Sequence, residues 1–363
     1  MKHPEDLRYL EMAYGLAEQG RGRTSPNPCV GAVIVRNGRI VGTGFHREAG
    51  EPHAEAIALA EAGRRSRGAT IYITLEPCAH WGRTPPCADG LIRAGLKRAV
   101  VSAIDPNPLV DSRGVRALRK AGIEVSLGLL KEKNLRLNES YLKYITLNIP
   151  FVTLKAAVGL DGRIAASDRG PGRISSPEAR DYVHLLRGEN DAVLAGIGTI
   201  LADDPRLTVR HPLWKDKKIT RVILDSGLRT PPGAAILAGG RVLIFCGNKA
   251  PAGRARGLEA RGAKIRRVPS GAAGLDLGKV LEELGKQEIA SLLVEGGSRV
   301  FTSFVEKGLA DKILLVIAPK LIGGKSAPSL IEGSGAASIA EALSLRETRC
   351  FPVGADRMIE GYF

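Results

Sequence analysis

A chain of 363 residues, 44% of them apolar, is long enough for two hydrophobic cores and too apolar for disorder. Its formal net charge of +15 is spread over both halves: residues 1–148 hold 22 Lys+Arg against 15 Asp+Glu (+7), the remainder 31 against 23 (+8). A basic tail interleaved with stacking aromatics is excluded, since only 4% of residues are aromatic, and the excess charge favours small phosphorylated ligands.

Five cysteines in this length are no disulfide framework. Met1-Lys2-His3-Pro4-Glu5-Asp6 lacks the apolar stretch of a signal peptide, and no apolar run approaches membrane-spanning length, so a cytoplasmic protein with no membrane partner is expected.

In chain order, Leu7, Leu10, Met12, Ala13, Leu16 and Ala17 predict a helix over 5–19 ending at Gly20. A stiff loop, Thr24-Ser25-Pro26-Asn27-Pro28, leads into a strand Val30–Val35. Asn37-Gly38 marks a hairpin, with Ile40–Phe45 returning. Asn27 is open between a turn cap and a reader of a heterocycle edge, and His46 between a surface residue and a substrate contact. Pro52 suits the first turn of a helix reaching Gly63, which sets His53 and Glu55 at its amino terminus. Ala69–Leu75 reads as a strand delivering Glu76-Pro77-Cys78. Pro85-Pro86-Cys87 starts a helix to Gly95, followed by a strand Val100–Ile104, a helix Val115–Ala121 and a strand Ile123–Leu127. Residues 131–148 read as a connecting helix and linker, which divides the chain into domains 1–148 and 149–363.

The second half opens with a strand, Phe151–Ala157. Ser175-Ser176-Pro177-Glu178 starts a helix to Arg187, taken alone a surface side chain. Strands follow at Asp191–Gly196, Arg221–Leu224, Arg241–Phe245, Ile289–Val294, Lys312–Ile317 and Arg357–Phe363. Ile197-Gly198-Thr199 reads as a turn and Asp203–Thr208 as a loop. Glu295-Gly296-Gly297 after a strand and before a helix to Glu306 suits a phosphate as well as it suits a plain tight turn; it is no GxGxxG fingerprint.

The chemistry concentrates between His53 and Cys87. One imidazole and two thiolates, His53, Cys78 and Cys87, supply three zinc ligands and leave a fourth position to water, whose pKa the metal lowers. Glu55, two residues past the histidine, is the proton shuttle in this pattern, His-x-Glu followed by Pro-Cys…Cys of zinc nucleobase deaminases. Eight residues separate the cysteines here instead of two, a loop that still closes at small entropic cost.

The set Asn27, His53-Ala54-Glu55, Pro77…Cys87, Leu160-Asp161-Gly162-Arg163, Ala202-Asp203-Asp204-Pro205 and Glu295-Gly296-Gly297 resembles the bacterial bifunctional riboflavin-biosynthesis deaminase–reductases over nearly the whole chain. The resemblance implies a two-domain α/β protein. The first domain would be cytidine-deaminase-like, three-layered α/β/α and zinc-dependent; the second would be dihydrofolate-reductase-like and NADPH-dependent. It implies deamination of 2,5-diamino-6-(ribosylamino)-pyrimidinone 5′-phosphate, then reduction of the ribosyl group to ribityl. Asn27, His46, His80 and Arg83 would contact the deaminase substrate. Lys155, Arg187, Asp203, Leu207, Arg210 and Glu295 would lie on the reductase substrate side. Val158, Arg173, Thr199, Asp203, Ser226 and the run Gly297, Ser298, Arg299, Val300, Phe301, Thr302, Ser303 would contact NADPH. Arg173 departs from the family pattern, which has an aromatic residue there. A homo-oligomer, dimer or tetramer, is implied too. The competing readings are a tRNA deaminase whose second half clamps RNA, and a deaminase joined to a purely structural domain.

Overall fold

The computed structural model describes residues 4–81, 85–166, 172–215, 217–272 and 274–363. The chain divides into two compact units, Met1–Asn148 and Ile149–Phe363.

In the first unit the order is α1 (Pro4–Ala17), β1 (Gly31–Arg36), β2 (Arg39–Phe45), α2 (Ala54–Ala62), β3 (Thr70–Ile73), α3 (Cys87–Arg93), β4 (Arg98–Val101), α4 (Arg113–Lys120), β5 (Glu124–Leu127), α5 (Lys131–Leu137) and α6 (Glu139–Leu147). The sheet order is β2-β1-β3-β4-β5; β1 is antiparallel to β2 and β3, and β3, β4 and β5 are parallel. Period-two alternation builds the layers. Ala32, Ile34, Ile71, Ile73, Ala99 and Val101 face α2, α3 and α4 through Ala58, Leu91 and Leu118. Val33, Val35, Tyr72 and Val100 face Leu10, Ala13 and Tyr14 of α1 on the other side.

Close backbone approach sets where α2 lies. A Cβ at Gly42 or Gly44 of β2 would stand 2.2 Å from Ala58 O and 2.3 Å from Ala54 O. Only glycine lets the helix that begins after His53 rest directly on the strand.

The stretch 131–148, expected as a connecting helix and linker, is instead two helices docked on this unit: Asn134 and Asn138 are 0% and 3% exposed. A linker would leave such amides in water; here their hydrogen bonds are made to the first unit's own backbone.

The second unit runs β6 (Phe151–Val158), α7 (Pro177–Glu189), β7 (Ala192–Gly196), α8 (Ile197–Asp203), β8 (Thr220–Leu224), β9 (Val242–Gly247), α9 (Ala252–Glu259), β10 (Ala263–Val268), the two-residue strands β11 (Ser270–Gly271) and β12 (Gly274–Leu275), α10 (Leu277–Gly285), β13 (Ser291–Val294), α11 (Ser298–Glu306), β14 (Lys312–Ile317), β15 (Arg346–Val353) and β16 (Asp356–Tyr362). Nine strands order as β10-β9-β8-β7-β13-β6-β14-β16-β15. β6 to β10, β13 and β14 are parallel, and β16 is antiparallel to both neighbours. The turn expected at Ile197 is the first turn of α8, entered from an extended Gly196. Elements α9, α10, β10 and β15 were not expected from the sequence. α10 had a legible signal: Asp276 caps it by accepting from Lys279 N at 3.1 Å, and Leu277, Val280, Leu281 and Leu284 recur at helical spacing.

Gly114, in the first turn of α4, offers a direct test of how the strand end after β3 is held. A Cβ there would lie 1.9 Å from Pro77 O. Gly114→Ala is expected to cost about 1–3 kcal/mol by overpacking, read as a lower melting temperature. An unchanged Tm would show that α4 yields freely.

Candidate active sites

His53 is the N-cap of α2, in extended conformation, and Glu55 lies in the helix's first turn. Its Nδ1 is 3.6 Å from Cys78 Sγ and 3.3 Å from Cys87 Sγ, and the three candidate ligand atoms lie within 4.8 Å of one another. Zn–N of about 2.0–2.1 Å and Zn–S of about 2.3 Å in a tetrahedron separate N and S by roughly 3.6 Å. The donor set therefore fits zinc. Cys87 opens α3, and its backbone N–H donates to Cys78 Sγ at 3.3 Å. The Cys87 thiol, then His53 and that N–H, stabilise the Cys78 thiolate and lower its pKa; hydrogen bonding to Cys78 and burial push Cys87 up. Glu55, 3% exposed, is pushed up to about 7 by burial and next by the charge on Cys78, so the carboxyl can take and give a proton near neutrality.

The strand end that carries Cys78 is anchored by Glu76. This carboxylate, 4% exposed, accepts backbone N–H groups from Asp105 (3.3 Å), Ser112 (3.0 Å) and Val115 (2.9 Å). Two of these donors belong to the start of α4, where an acid is favoured.

Asn27 and His46 join the centre. His46 Nδ1–H donates to Pro52 O at 3.2 Å, which leaves Nε2 to accept from Asn27 Nδ2 at 3.2 Å. Burial lowers the His46 pKa, consistent with that neutral tautomer, and its ring meets His53 edge-on at 5.3 Å. His46 is 3% exposed, so it is not a surface residue; both ring nitrogens are engaged, and it acts on Asn27. His80 Nδ1 is buried without a hydrogen-bond partner among the described residues. Arg83 lies outside the described residues.

In the second unit Val294 of β13 pairs with Leu154, so Glu295 and Lys155 follow side by side at neighbouring strand positions. Arg187 reaches Glu295 with both arms, Nε to Oε1 at 2.5 Å and Nη2 to Oε2 at 2.9 Å, and donates from Nη1 to Thr208 O at 3.0 Å. The side chains are 12% and 10% exposed, so Arg187 is no surface residue. Burial works to raise the Glu295 carboxyl, but Arg187 and Lys155 outweigh it and hold it below the usual range; burial lowers the Lys155 pKa, opposed by Glu295. Arg210 Nη2 lies 3.0 Å from Nε2 of His184, a residue sequence reasoning missed.

Thr199, Gly297 and Val300 come together. A Cβ on Gly297 would lie 3.5 Å from Thr199 Oγ1, and one on Gly296 or Gly196 would collide with Val300 at 2.7 Å or 2.6 Å. This bare backbone at the start of α11, beside the end of β7, suits a phosphate. Val158 closes β6 opposite Ile317 and is buried.

The other expected contacts stand as follows. Phe301 is 2% exposed and packs in the core; Leu207 is 4% exposed and does likewise. The Thr302 hydroxyl accepts from Glu332 N, and Ser303 and Ser298 donate to the carbonyls of Arg299 and Ser329. Arg299 and Asp203 are exposed, the latter at the end of α8. Ser226 follows β8, two strands from β13, and Arg173 is exposed, its carbonyl accepting from Lys320 Nζ at 2.9 Å.

An imidazole and a thiol at two helix starts and a second thiol after a strand end, beside a buried glutamate, define a zinc-dependent deaminase of the cytidine deaminase type; residues 3–103 match the "Cytidine and deoxycytidylate deaminase zinc-binding region". Residues 150–359 match the "RibD C-terminal domain", a reductase that uses NADPH. The riboflavin biosynthesis protein RibD of Aquifex aeolicus is 43% identical, covering 98% of this chain and 97% of its own; that of Escherichia coli is 39% identical, covering 97% and 98%. The Acinetobacter baumannii RibD structure superposes with a TM-score of 0.88 at 36% identity, covering 99% of this chain and 98% of its own. A diaminohydroxyphosphoribosylaminopyrimidine deaminase/5-amino-6-(5-phosphoribosylamino)uracil reductase from Thermotoga maritima gives 0.84 at 34%, covering 98% of each. The chain belongs to the RibD family, the bifunctional deaminase–reductases of riboflavin biosynthesis. Among the described residues no helix is long and apolar enough to cross a membrane.

His184 carries a pH test of the second unit. Burial, then the charges of Arg187 and Arg210, push its pKa from 6.5 down to about 4, so the folded state holds it neutral while the unfolded chain protonates it. Its contribution to stability is full above about pH 6.5 and is lost as the pH falls towards about 4. Urea unfolding at pH 7 and pH 5 should show a smaller loss in His184→Asn than in the parent; equal losses would remove this account.

Proposed function

We propose that residues 1–148 deaminate 2,5-diamino-6-(ribosylamino)-pyrimidinone 5′-phosphate and that residues 149–363 then reduce the ribosyl group of the product to ribityl. The observation that carries the reading is the His53–Cys78–Cys87 set at tetrahedral spacing with buried Glu55 beside it. His53, Cys78 and Cys87 would hold zinc, which when bound supplies Lewis-acid activation of a water. Glu55 takes that water's proton and returns it to the departing amine nitrogen. Asn27, oriented by His46, reads the polar edge of the pyrimidine, and His80 contacts its phosphate side, where the family resemblance also expects Arg83.

In the reductase, NADPH when bound supplies the hydride. Lys155, Arg187, Arg210 and Glu295 bind and orient the ribosyl phosphate, so positioning dominates. The bare turn at Gly296-Gly297, with Thr199 and the N-terminal residues of α11, holds the cofactor; Val158 and Asp203 border it. Ser226 and Arg173 belong to its outer contacts.

The partner is this small phosphorylated pyrimidine and not a nucleic acid: charge is spread over both halves and aromatics are few. A homo-oligomer is supported by large apolar side chains left in water, Ile339 at 93%, Leu321 at 79% and Leu343 at 61% exposure. The five cysteines form no disulfide among the described residues, in keeping with a reducing cytoplasm.

Zinc-loaded protein given the diaminopyrimidine ribosyl phosphate should release ammonia without NADPH and oxidise NADPH only after deamination. Ammonia without any NADPH consumption would leave the second half needing another role, and neither signal would refute the substrate. Glu55→Gln should keep its zinc and lose about 10²–10⁴-fold in deamination rate; full turnover would refute the proton shuttle.

A further inference from the structure

We propose that the helix pair α5–α6 is a working part of the deaminase centre, and that Asn138 is the positioning residue that sets Asn27. Neither family match reaches this pair: one ends at residue 103 and the other begins at 150.

Three residues of the pair, spaced by four and three as on one helix face, each grip a different segment of the site. Asn134 Nδ2 donates to Thr74 O at 2.6 Å, two residues before Glu76. Asn138, at the junction of the helices, accepts from Cys29 N at 2.7 Å and donates to Cys29 O at 3.1 Å. Tyr141 donates its hydroxyl to Asp105, with the two carboxylate oxygens at 2.8 Å and 3.0 Å, and Asp105 N in turn donates to Glu76. The loop bearing Asn27, the strand end bearing Cys78 and the loop after β4 are therefore all held from one element.

Asn138 reaches furthest into the chemistry. Its amide closes both polar groups of one residue, two positions after Asn27, and is 3% exposed, so neither bond is diluted by water. Asn27 lies between Pro26 and Pro28, whose rings remove backbone freedom. A shift of Cys29 therefore passes to Asn27 and to its contact with His46. The zinc ligands come from other segments, so losing Asn138 misplaces the substrate and spares the metal.

The inference rests on Asn27 contacting the substrate, and the test separates the two. Deamination is measured for the full-length parent, Asn138→Ala, Asn27→Ala and the double variant, with zinc content and NADPH-dependent reductase activity alongside. Asn138→Ala should keep one zinc and full reductase activity while kcat/KM for deamination falls about 10- to 100-fold, mostly in KM. In the Asn27→Ala background the same change should add little. If Asn27→Ala alone leaves deamination unchanged, the reading of Asn27 fails. If it is impaired but the two effects add, or if Asn138→Ala loses zinc in proportion to activity, the positioning role fails. Should Asn138→Ala not be recoverable as folded protein, Tyr141→Phe replaces it: lower deaminase kcat/KM at full zinc supports the pair's role, and unchanged kinetics overturn it.

Discussion

A carboxylate buried at the end of a strand organises the deaminase unit. Glu76 takes backbone N–H groups from Asp105, Ser112 and Val115, and so ties β3 to the loop after β4 and to the start of α4. Burial penalises its charge and raises its pKa; the three donors offset part of that penalty and fix where the carboxyl sits. Pro77 then lies against Gly114, and the next residue is Cys78. With the strand end held, α3 needs only to begin where it does for Cys87 to arrive beside His53.

The reductase unit relies on a comparable device with both signs of charge. Arg187 and Glu295 form a bidentate pair that is nearly out of water, with Lys155 near enough to share the carboxylate's field. Such a pair adds little to stability, because desolvation consumes much of the attraction. Its value is geometric. Glu295 sits directly after β13 and Arg187 two residues before the end of α7, so the pair locks a helix end to a strand end beside the bare Gly296-Gly297 turn. Arg210 in turn reaches His184 and the Thr208 hydroxyl.

Much of this was legible. The zinc ligands are named by residue type, order and an adjacent proline, because the metal demands those donors whatever the fold. The Gly-Gly turn and most strands follow from local rules of turn chemistry and alternation. What was misread shares one cause: dependence on partners distant in sequence. Arg187, taken alone, reads as a surface residue and His46 stays open until the fold brings Glu295 and Asn27 to them. Asn138, set among charged residues, suggested a linker, and only backbone groups sixty or more residues away explain the burial of Asn134 and Asn138.

The sequence by itself determined the donor set for zinc, the carboxyl beside it, the α/β class and the presence of two cores, since these depend on residue chemistry and short-range periodicity. Tertiary structure decided which side chains are buried, which polar groups are paired, and that residues 131–147 are two helices docked on the first unit. Those properties follow from burial and from hydrogen bonds across long sequence separations. Neither exists until the strands are in register and the helices are packed on them.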